Sequence, residues 1–485
     1  MKLTRLMVNA GFTAPAFEAD ITDVVMDSRR VRKGSLFVAV KGARADGHDM
    51  ALDACANGAA AVVAEHTTGL EKEIIVGDAR KANALLASAF FENPGKKLKL
   101  IGVTGTNGKT TVSSVVKQAL EALGHPSGLI GSAQCEIRDK VIPARFTTPE
   151  PRELNALLDM MVKSGCEYAV METSSQALAQ MRLFGQRFAV GVFTNLSRDH
   201  LDYHMTMEKY FKAKSELFSM TDVAVVNSDD EYGKRLIDNL DIPVVCFSDT
   251  SNYADITAKN VEFSTHGVRF AVNGDGFIGR VKFPFPGQYS VQNALAAISV
   301  LFALGVPGKD AADAVSLVKG VRGRSELVYR DDDITVLTDF AHTTEGLRMF
   351  ISGIKPAVKG RLMVLFGCAG DRDAGKRGDM VRVVCELSDL AILTADNPRT
   401  EDPEGTIASL VPIFEEENTE YHTDPDRESA IRWALGQARE GDVLLLCGKG
   451  HEDYQVMDGY TVYLDERDIV EEFFAGERVS TPTTH

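Results

Sequence analysis

The sequence has no excess of basic residues. Among its 485 residues, 53 are Lys or Arg and 69 are Asp or Glu, so the formal net charge is −16. A chain this acidic is poorly suited to binding along the phosphate backbone of a nucleic acid. It also lacks the polybasic patch that anionic membranes attract. We therefore expect neither a nucleic acid nor a membrane as a partner. Separately from the charge, we expect a monomer that acts on small-molecule substrates.

Cysteines and long apolar runs are scarce as well. The seven cysteines are odd in number and none stands in a CxxC pair, which disfavours a zinc knuckle or a disulfide framework and suits a reducing compartment. The longest apolar helical stretch, Ala294–Val306, is well short of the roughly 20 residues that span a bilayer. The N-terminal apolar stretch is interrupted by Asn9 and Gly11 and is too short for a signal-peptide core. We expect a cytoplasmic protein.

The pattern along the chain predicts an α/β protein with three domains, since a domain contains roughly 150 residues on average. Short apolar runs alternate with helical stretches, which is typical of parallel sheets with crossover helices. The expected strands are Ser35–Val40, Ala60–Val63, Leu98–Val103, Tyr168–Met171, Phe188–Phe193, Val223–Val226, Ile334–Leu337, Leu362–Phe366, Leu390–Leu393 and Val443–Leu446. Polar breaks divide the chain into an N-terminal α/β domain over 1–97, a central domain over 98–322 and a C-terminal Rossmann-like domain over 323–485.

A glycine-rich loop follows the first strand of the central block. Gly105-Thr-Asn-Gly-Lys-Thr-Thr lies between the expected strand Leu98–Val103 and a helical stretch, Val112–Leu123. In this context backbone N–H groups bind phosphate oxygens, Lys109 pairs with the outer phosphates and Thr110 ligates Mg²⁺. The strict P-loop pattern requires glycine where Val103 stands, so the loop is a variant. The alternative is a glycine-rich turn with a solvated lysine.

Acidic and imidazole groups follow two other strands of the same block. Glu172 ends the strand Tyr168–Met171, and Asp199-His200-Leu-Asp202-Tyr-His204 follows Phe188–Phe193. Because the carboxyl ends of parallel strands meet at one sheet edge, these groups are plausible Mg²⁺ ligands beside bound phosphates. For Glu172 alone, a salt bridge or a helix cap would be the ordinary alternative. A GTPase is disfavoured because no Asn-Lys-x-Asp motif is present.

At these motifs the sequence resembles the Mur ligases, ATP-dependent amino-acid ligases of peptidoglycan precursor synthesis. The resemblance covers essentially the whole chain. It is carried by Asp27–Arg29, Gly42–Gly47, Gly105–Thr111, Met171–Ser175, Asn195–His204, Gly323–Arg324, Asp339–His342, Gly370–Asp373, Gly375–Arg377 and Gly448–Glu452. Asp396-Asn-Pro-Arg399 is similar to the motif of the members that add meso-2,6-diaminopimelate to UDP-MurNAc-L-Ala-D-Glu.

The resemblance implies a reaction through an acyl phosphate. The glutamate carboxylate of the substrate attacks the γ-phosphate of ATP, and the incoming amine then displaces phosphate to form the amide. The resemblance implies Lys109, Glu172, His200 and Lys214 as catalytic residues, with Mg²⁺ held by Thr110, Glu172, His200 and Lys214. Lys214 matches the family's carbamylated lysine (N6-carboxylysine); without the resemblance it would be taken for a surface lysine.

The resemblance also implies three sets of binding residues. ATP would contact Gly105, Thr106, Asn107, Gly108, Lys109, Thr110, Thr111, Asn293, Arg324, Asp339 and His342. The UDP-MurNAc-dipeptide would contact Met26, Ser28, Ala43, Arg44, Ala45, Thr147, Thr148, Ser174, Gln180 and Arg182, although Thr147-Thr-Pro is equally typical of an extended turn before a helix. Diaminopimelate would contact Arg377, Asp396, Asn397, Pro398, Arg399, Gly448 and Glu452.

The sequence does not decide which amino acid supplies the amine that is joined to the substrate. Gln176, Phe340, Thr344 and Ala369 stand where the family commonly has His, Tyr, Pro and Gly, which is compatible with a divergent paralogue. The alternatives are a lysine-adding or folylpolyglutamate-synthase-like ligase, and a P-loop regulatory ATPase without ligase activity. Arg399 favours diaminopimelate because its planar fork suits the second carboxylate, which lysine lacks.

Overall fold

The computed structural model describes residues 1–42 and 45–480, and the chain divides into two compact units. The first unit comprises residues 1–257 and 295–314, and the second comprises residues 258–294 and the chain from 315 onward. Among the helices of the described residues, none has the length and apolar character needed to cross a membrane.

Helices and strands alternate along most of the chain. The helices are α1 (Leu3–Asn9), α2 (Ala51–Ala56), α3 (Ala79–Phe90), α4 (Lys109–Ala122), α5 (Pro151–Lys163), α6 (Ser175–Ala179), α7 (Leu201–His204), α8 (Met207–Ser215), α9 (Glu231–Ile237), α10 (Gln288–Ala303), α11 (Gly308–Ser316), α12 (Thr344–Ile354), α13 (Arg377–Leu387), α14 (Pro403–Glu417), α15 (Arg427–Gly436) and α16 (Glu466–Ser480). Short 3-10 helices cover Ser28–Arg30, Gly47–Met50, Pro94–Lys97, Glu216–Met220, Lys355–Ala357 and Ala374–Lys376.

The strands belong to three larger sheets and one small hairpin. They are β1 (Asp23–Val25), β2 (Ser35–Val38), β3 (Ala59–Ala64), β4 (Glu73–Ile75), β5 (Lys99–Thr104), β6 (Ser127–Ile130), β7 (Gln134–Ile137), β8 (Lys140–Pro143), β9 (Tyr168–Glu172), β10 (Phe188–Phe193), β11 (Thr221–Asn227), β12 (Val244–Ser248), β13 (Ile256–Ser264), β14 (Gly267–Gly274), β15 (Phe277–Phe283), β16 (Glu326–Arg330), β17 (Ile334–Asp339), β18 (Leu362–Cys368), β19 (Leu390–Ala395), β20 (Tyr421–Asp424), β21 (Asp442–Cys447), β22 (Tyr454–Val456) and β23 (Thr461–Tyr463).

The first unit contains two sheets. Near the N-terminus, β1, β2, β3 and β4 pair in parallel in that order. In the larger sheet β5 is central, with β9 and then β6 on one side and β10, β11 and β12 on the other, all parallel. The carboxyl ends of β5, β6, β9 and β10 therefore meet at one edge, where ligands bind in such sheets.

The second unit has its own mostly parallel sheet. Its order is β16-β17-β21-β18-β19-β20, with only β16 antiparallel. One apolar cluster lies on the face covered by α12, α13 and α14, and another on the face covered by α15 and α16. The central strands are buried on both faces and read as continuous apolar runs, which is why they are recognisable in the sequence.

The structure confirms each expected strand to within two residues at either end. The helices differ more at their starts. The helix expected over Val112–Leu123 begins at Lys109. The apolar stretch Ala294–Val306 overlaps α10, which begins at Gln288 and ends at Ala303. In the first case the reason is local: Gly108 adopts a φ of +84°, so the chain turns directly from the loop into the helix, a conformation that glycine adopts without strain.

Candidate functional site

The glycine-rich loop after β5 requires both of its glycines. Gly105 has a φ of +147°, and a side chain there would collide with the Thr194 hydroxyl on the neighbouring β10 segment. Gly108 introduces α4, so the first N–H groups of the helix face the loop. Free N–H groups at a helix N-terminus attract anions. The loop therefore has the backbone of a phosphate-binding site.

Residues that follow β10 form hydrogen bonds with the glycine-rich loop. The Thr194 hydroxyl donates to the Asn107 carbonyl at 2.6 Å, and the Asn107 N–H donates to the Asn195 side chain at 3.0 Å. The Ser197 N–H donates to the Thr106 hydroxyl at 3.0 Å. Sequence analysis gave no role to Thr194, Asn195 or Ser197, although Asn195 and Ser197 lie within the motif that contains His200 and Thr194 directly precedes it. Their role depends on the pairing of β5 with β10, which the sequence does not show.

Two lysines approach the loop carbonyls. Lys109 donates to the carbonyls of Gly105 and Thr106 at 3.0 and 2.8 Å, and Lys214 donates to the Gly105 carbonyl at 2.7 Å. Lys214 is 1% exposed, so without the resemblance its interpretation as a surface lysine would be wrong. Burial, and after it the charge of Lys109, hold the pKa of Lys214 well below its usual value.

Glu172 forms a compact group with two hydroxyls at the ends of β9, β6 and α4. The Ser132 hydroxyl is 3.1 and 3.2 Å from the two carboxylate oxygens of Glu172, and the Ser132 N–H donates to the same carboxylate at 2.8 Å. The Thr110 and Ser132 hydroxyls are 3.1 Å apart. The structure thus brings Thr110 and Glu172 together, as expected. It adds Ser132, which follows β6 and which sequence analysis missed.

His200 lies at the start of α7, with almost half of its side chain exposed. Its ring is edge-on to Tyr210, and the Lys214 ammonium lies 4.6 Å from the centre of that tyrosine ring. Partial burial lowers the pKa of His200, and the charges of Lys109 and Lys214 act in the same direction against Asp199. Within the described residues His200 shares no hydrogen bond with Glu172, so the structure places it beside Lys214 and Tyr210 instead.

The side chains expected to hold the muramoyl-dipeptide form one network beyond Glu172. The Thr148 hydroxyl is 2.7 Å from the Glu172 carbonyl and 3.2 Å from the Ser174 hydroxyl. Arg182 donates to the Thr148 carbonyl at 2.8 Å, to the Gln180 side chain at 2.8 and 3.1 Å, and forms an ion pair with Glu150. The structure therefore brings these four expected residues together, with Thr147 adjoining them in the chain.

The expected nucleotide-sugar residues lie on the N-terminal sheet. Met26 follows β1, and its sulfur accepts from Asn83 on α3 at 3.4 Å. Ser28 begins a 3-10 turn that the Asp27 side chain caps. Ala45 accepts a backbone hydrogen bond from Gly42 at 2.9 Å. Ala43 and Arg44, which belong to the same prediction, lie outside the described residues.

In the second unit, three of the expected ATP-side residues surround the end of β17. The Ser325 N–H donates to Asp339 at 2.7 Å, next to Arg324, whose guanidinium lies 4.9 Å from the centre of the Phe340 ring. His342 is 2.7 Å from the Phe340 carbonyl. Burial raises the pKa of Asp339, and the charge of Arg324 opposes that rise. Asn293 is buried on a different element, α10.

The expected amino-acid residues lie after β18, β19 and β21 of the same sheet. Asp396 and Asn397 are buried at the end of β19, and Asn397 donates to the Glu452 carboxylate at 3.0 Å. Pro398 and Gly448 lie in the same two segments. The structure thus joins the Asp396–Arg399 and Gly448–Glu452 segments, as the resemblance implies.

Both expected arginines already have internal partners. Arg399 donates to the Gly370 carbonyl at 2.6 Å, and its own φ is +54°. Arg377 is buried and forms a 2.8 Å ion pair with Glu401. The sequence argument treated the two guanidiniums as available to a ligand carboxylate. Glu401, which was not considered, already supplies a carboxylate to Arg377.

The side chains that could bind a metal ion are mainly hydroxyls and one carboxylate. Across residues 1–42 and 45–480, no group of three or more His, Cys, Asp or Glu side chains is arranged to hold a metal ion. The oxygen donors that do converge in the first unit are the carboxylate of Glu172 and the hydroxyls of Thr110 and Ser132. Such hard oxygen donors suit Mg²⁺ better than transition metals.

Three family models match successive parts of the chain. Residues 20–92 match the Mur ligase family catalytic domain, residues 103–301 match the Mur ligase middle domain, and residues 323–450 match the Mur ligase glutamate ligase domain. Together the three models account for the order of α/β regions seen in the structure and bear out the three-domain α/β architecture expected from the sequence.

Individual proteins are similar over nearly their whole length. A UDP-N-acetylmuramoyl-L-alanyl-D-glutamate--2,6-diaminopimelate ligase of Clostridium perfringens is 38% identical, with 95% of this chain and 96% of that protein covered. The protein of the same name from Caldanaerobacter subterraneus is 42% identical, with 94% and 95% covered. A solved structure with that name superposes with a TM-score of 0.72 at 32% identity, over 94% of this chain and 95% of the other.

Proposed function

The chain belongs to the Mur ligase family, and from this premise we propose that it joins meso-2,6-diaminopimelate to UDP-MurNAc-L-Ala-D-Glu with consumption of ATP. The relatives named for this reaction are similar to the chain over almost its full length. Membership in a family of ATP-dependent ligases disfavours the alternative of a regulatory P-loop ATPase.

One observation carries the proposed chemistry: Gly105 of the phosphate-binding loop accepts hydrogen bonds from both Lys109 and Lys214, next to the hydroxyl–carboxylate group of Thr110, Ser132 and Glu172. A simple nucleotide-binding loop needs only the first lysine. A second, buried lysine that contacts the same loop is more than nucleotide binding requires, and it supports a site in which a further group acts beside the bound phosphates.

In the proposed reaction the substrate carboxylate attacks the γ-phosphorus of ATP, and ADP leaves. Lys109 would compensate the charge of the transferring phosphoryl group, and the N–H groups at the start of α4 would orient the remaining phosphates. The amine nitrogen then attacks the acyl carbon, inorganic phosphate leaves, and the nitrogen loses a proton. The protein contributes position and charge more than covalent chemistry.

Mg²⁺ fits the donor set of Thr110, Ser132 and Glu172, and these are the residues that we propose would hold it. A bound Mg²⁺ would neutralise part of the phosphate charge. His200 and a carbamylated Lys214 would complete the expected set. The buried, depressed-pKa amine of Lys214 supports carbamylation, because only the neutral amine adds CO₂, forming a C–N bond and releasing a proton.

The amino acid is proposed to bind at the carboxyl edge of the second unit's sheet. Asp396 and Glu452 supply carboxylates for an ammonium group, and Arg399 and Arg377 supply guanidiniums for carboxylates. A zwitterionic distal end, which diaminopimelate has and lysine lacks, needs both charges. We further propose domain boundaries at 97/98 and 322/323, action as a monomer, and location in the cytoplasm, where ATP and UDP-linked precursors are available.

The test is an amine panel. The protein is incubated with ATP, Mg²⁺ and UDP-MurNAc-L-Ala-D-Glu, and phosphate release and product mass are measured with meso-diaminopimelate, L-lysine, L-ornithine and L-glutamate. We expect a product larger by one diaminopimelate residue, and a kcat/KM for L-lysine roughly two to three orders of magnitude lower. Equal use of both amines would refute the specificity, and phosphate release that is independent of every amine would refute the ligase assignment.

A further inference from the structure

Lys449 is a buried lysine for which the reaction described above gives no role. Its side chain is 0% exposed, and it lies between the Asp396–Arg399 segment and Glu452. Its ammonium donates to the Asn397 side-chain oxygen at 2.6 Å, to the Tyr454 carbonyl at 2.7 Å and to the Glu452 carboxylate at 3.3 Å. These three bonds use all the donors that an ammonium group has.

These contacts decide which way the Asn397 amide faces. Its oxygen accepts from Lys449 and from the Val456 N–H, at 2.6 and 2.8 Å. Both partners can only donate, so the atom between them must be the amide oxygen and not the nitrogen. The amide nitrogen is therefore turned toward Glu452, to which it donates at 3.0 Å. Among the described residues it has no other hydrogen-bond acceptor, so one of its two hydrogens is left for a ligand.

The segment containing Asn397 is held on its other side by β22. The Gln455 amide donates to the Asp396 carbonyl at 2.7 Å, and the Arg399 N–H donates to the Val456 carbonyl at 3.0 Å. Among the described residues the Asp396 oxygen Oδ1 is buried without a hydrogen bond, and the Lys449 nitrogen is 3.6 Å away. The backbone is thus fixed by β22, while Lys449 is the cation that hydrogen-bonds to the side chains of both Asn397 and Glu452.

We propose that Lys449 is a positioning residue for amine selection: it holds the Asn397 amide so that Asn397 offers an N–H donor, and not an acceptor, to the carboxylate of the incoming amino acid. The inference rests on the proposed function of this edge as the amino-acid site. Lys449 itself is enclosed by protein and acts through Asn397. Without it, the amide oxygen keeps only the Val456 N–H as a partner, and the Asn397 amide and the Glu452 carboxylate lose the cation that they share. The amide is then held less firmly in the position that faces the ligand, because a charged donor has been lost.

The first test compares Lys449→Met with Arg361→Met. Methionine keeps the length of the lysine stem but cannot donate. Arg361 pairs with Asp442 at 2.7 Å at the opposite, amino end of the same sheet, so its variant controls for general loss of stability. For Lys449→Met we expect the KM for diaminopimelate to rise by one to two orders of magnitude, with the KM for ATP and for the dipeptide substrate within about threefold. The preference for diaminopimelate over L-lysine should fall at least tenfold. Arg361→Met should lower Tm without changing that preference.

A double-mutant cycle with Asn397→Ala then separates positioning from bulk stability. If Lys449 acts through Asn397, adding Lys449→Met to Asn397→Ala changes the KM for the amine by less than threefold, because the amide is already absent. Should Lys449→Met fail to fold, Lys449→Gln takes its place in the same cycle. Multiplicative losses in the double variant, or an unchanged amine preference in the single variant, would overturn the proposal.

The experiments distinguish a failure of the proposed function from a failure of the role proposed for Lys449. If the wild type in the amine panel uses another amine, the cycle is measured with the amine that it uses fastest, and the same KM pattern is expected. Failure of the panel with diaminopimelate therefore contradicts the substrate assignment, whereas failure of the cycle contradicts only the role of Lys449.

Discussion

Lys109 and Lys214 donate hydrogen bonds to the same atom, the carbonyl oxygen of Gly105, at 3.0 and 2.7 Å. The side-chain nitrogens of two lysines are therefore held close together at the loop. Burial and the neighbouring charge together lower the pKa of Lys214. A positive charge on Lys214 is therefore disfavoured at this position, and a reaction that converts its ammonium into an uncharged or negatively charged group is favoured. This is the basis of the first prediction.

Lys214 is predicted to become a carbamate when bicarbonate is present. Lys214→Ala should lose at least about 99% of its activity, because it can no longer supply the carboxylate, and added short carboxylic acids should restore part of it. Lys212→Ala, two residues away on the exposed face of α8, is the control and should be close to wild type. A carbamate signal in ¹³CO₂-labelled wild type that persists in Lys214→Ala would contradict the assignment.

Lys109→Ala is predicted to abolish ligation. No other side chain of the loop carries a positive charge that can follow the transferring phosphoryl group, and loss of such a group costs roughly two to three orders of magnitude or more in kcat. The measurement is phosphate release with all substrates present. Lys117→Met serves as the control, because Lys117 is a buried lysine on the same helix that pairs with Glu121 and Glu136. Near-wild-type turnover by Lys109→Ala would show that the charge of Lys109 does not stabilise the transferring phosphoryl group.

Ser132→Ala is predicted to change the magnesium dependence. The Ser132 hydroxyl and N–H fix both oxygens of Glu172, and the hydroxyl adjoins Thr110. The variant loses a proposed Mg²⁺ donor that also orients Glu172, so it should need at least roughly ten times more Mg²⁺ for half-maximal activity. Activity is titrated against Mg²⁺ at saturating substrates. Ser113→Ala, in which a buried hydroxyl on α4 bonded to a backbone carbonyl is removed, should leave the Mg²⁺ curve in place.

Arg399→Ala is predicted to weaken the use of diaminopimelate far more than the binding of ATP. We expect the KM for the amine to rise at least about a hundredfold, because the ligand carboxylate loses a bidentate partner. The KM for ATP should remain within about threefold. If Arg399 only stabilises its turn through the Gly370 carbonyl, the variant will instead lose thermal stability with its preference for diaminopimelate over L-lysine intact. Arg348→Ala, on the surface of the same unit, provides the comparison.

His451 is predicted to make the second unit sensitive to acid. Burial, followed by the charges of Arg324, Arg467 and Arg322, lowers the pKa of His451 from 6.5 to about 4. Between these pH values the unfolded chain binds a proton that the folded chain does not, so stability falls as the pH decreases from 6.5 to 4, by at most about 3 kcal/mol. In urea unfolding at pH 7 and pH 4.5, His451→Gln should lose less stability than the wild type. Equal losses of unfolding free energy in His451→Gln and in the wild type would show that His451 is not the source of the acid sensitivity.

The sequence predicted which sheet edges carry the candidate site residues, because each polar motif directly follows a strand in the chain. Gly105–Thr111 follows β5 and Asp396–Arg399 follows β19, so local sequence order was enough to place them at a carboxyl edge. Ser132, Thr194 and Lys449 were missed because each acquires its role only through the pairing of strands far apart in the sequence. The ion pair between Arg377 and Glu401 was not predicted either, since Glu401 lies in a loop whose path the sequence does not reveal.

The amino-acid sequence by itself determined the α/β class, the order of strands and helices, and the glycine-rich loop between β5 and α4, because hydrophobic periodicity and glycine conformation act over a few residues. Only the tertiary structure decided which charges are buried and what they contact. Lys212 and Lys214 are alike in the sequence, yet Lys212 is exposed and Lys214 is enclosed against Gly105. Burial and electrostatic environment depend on the packing of whole sheets and helices, which is a property of the folded chain and not of any local segment.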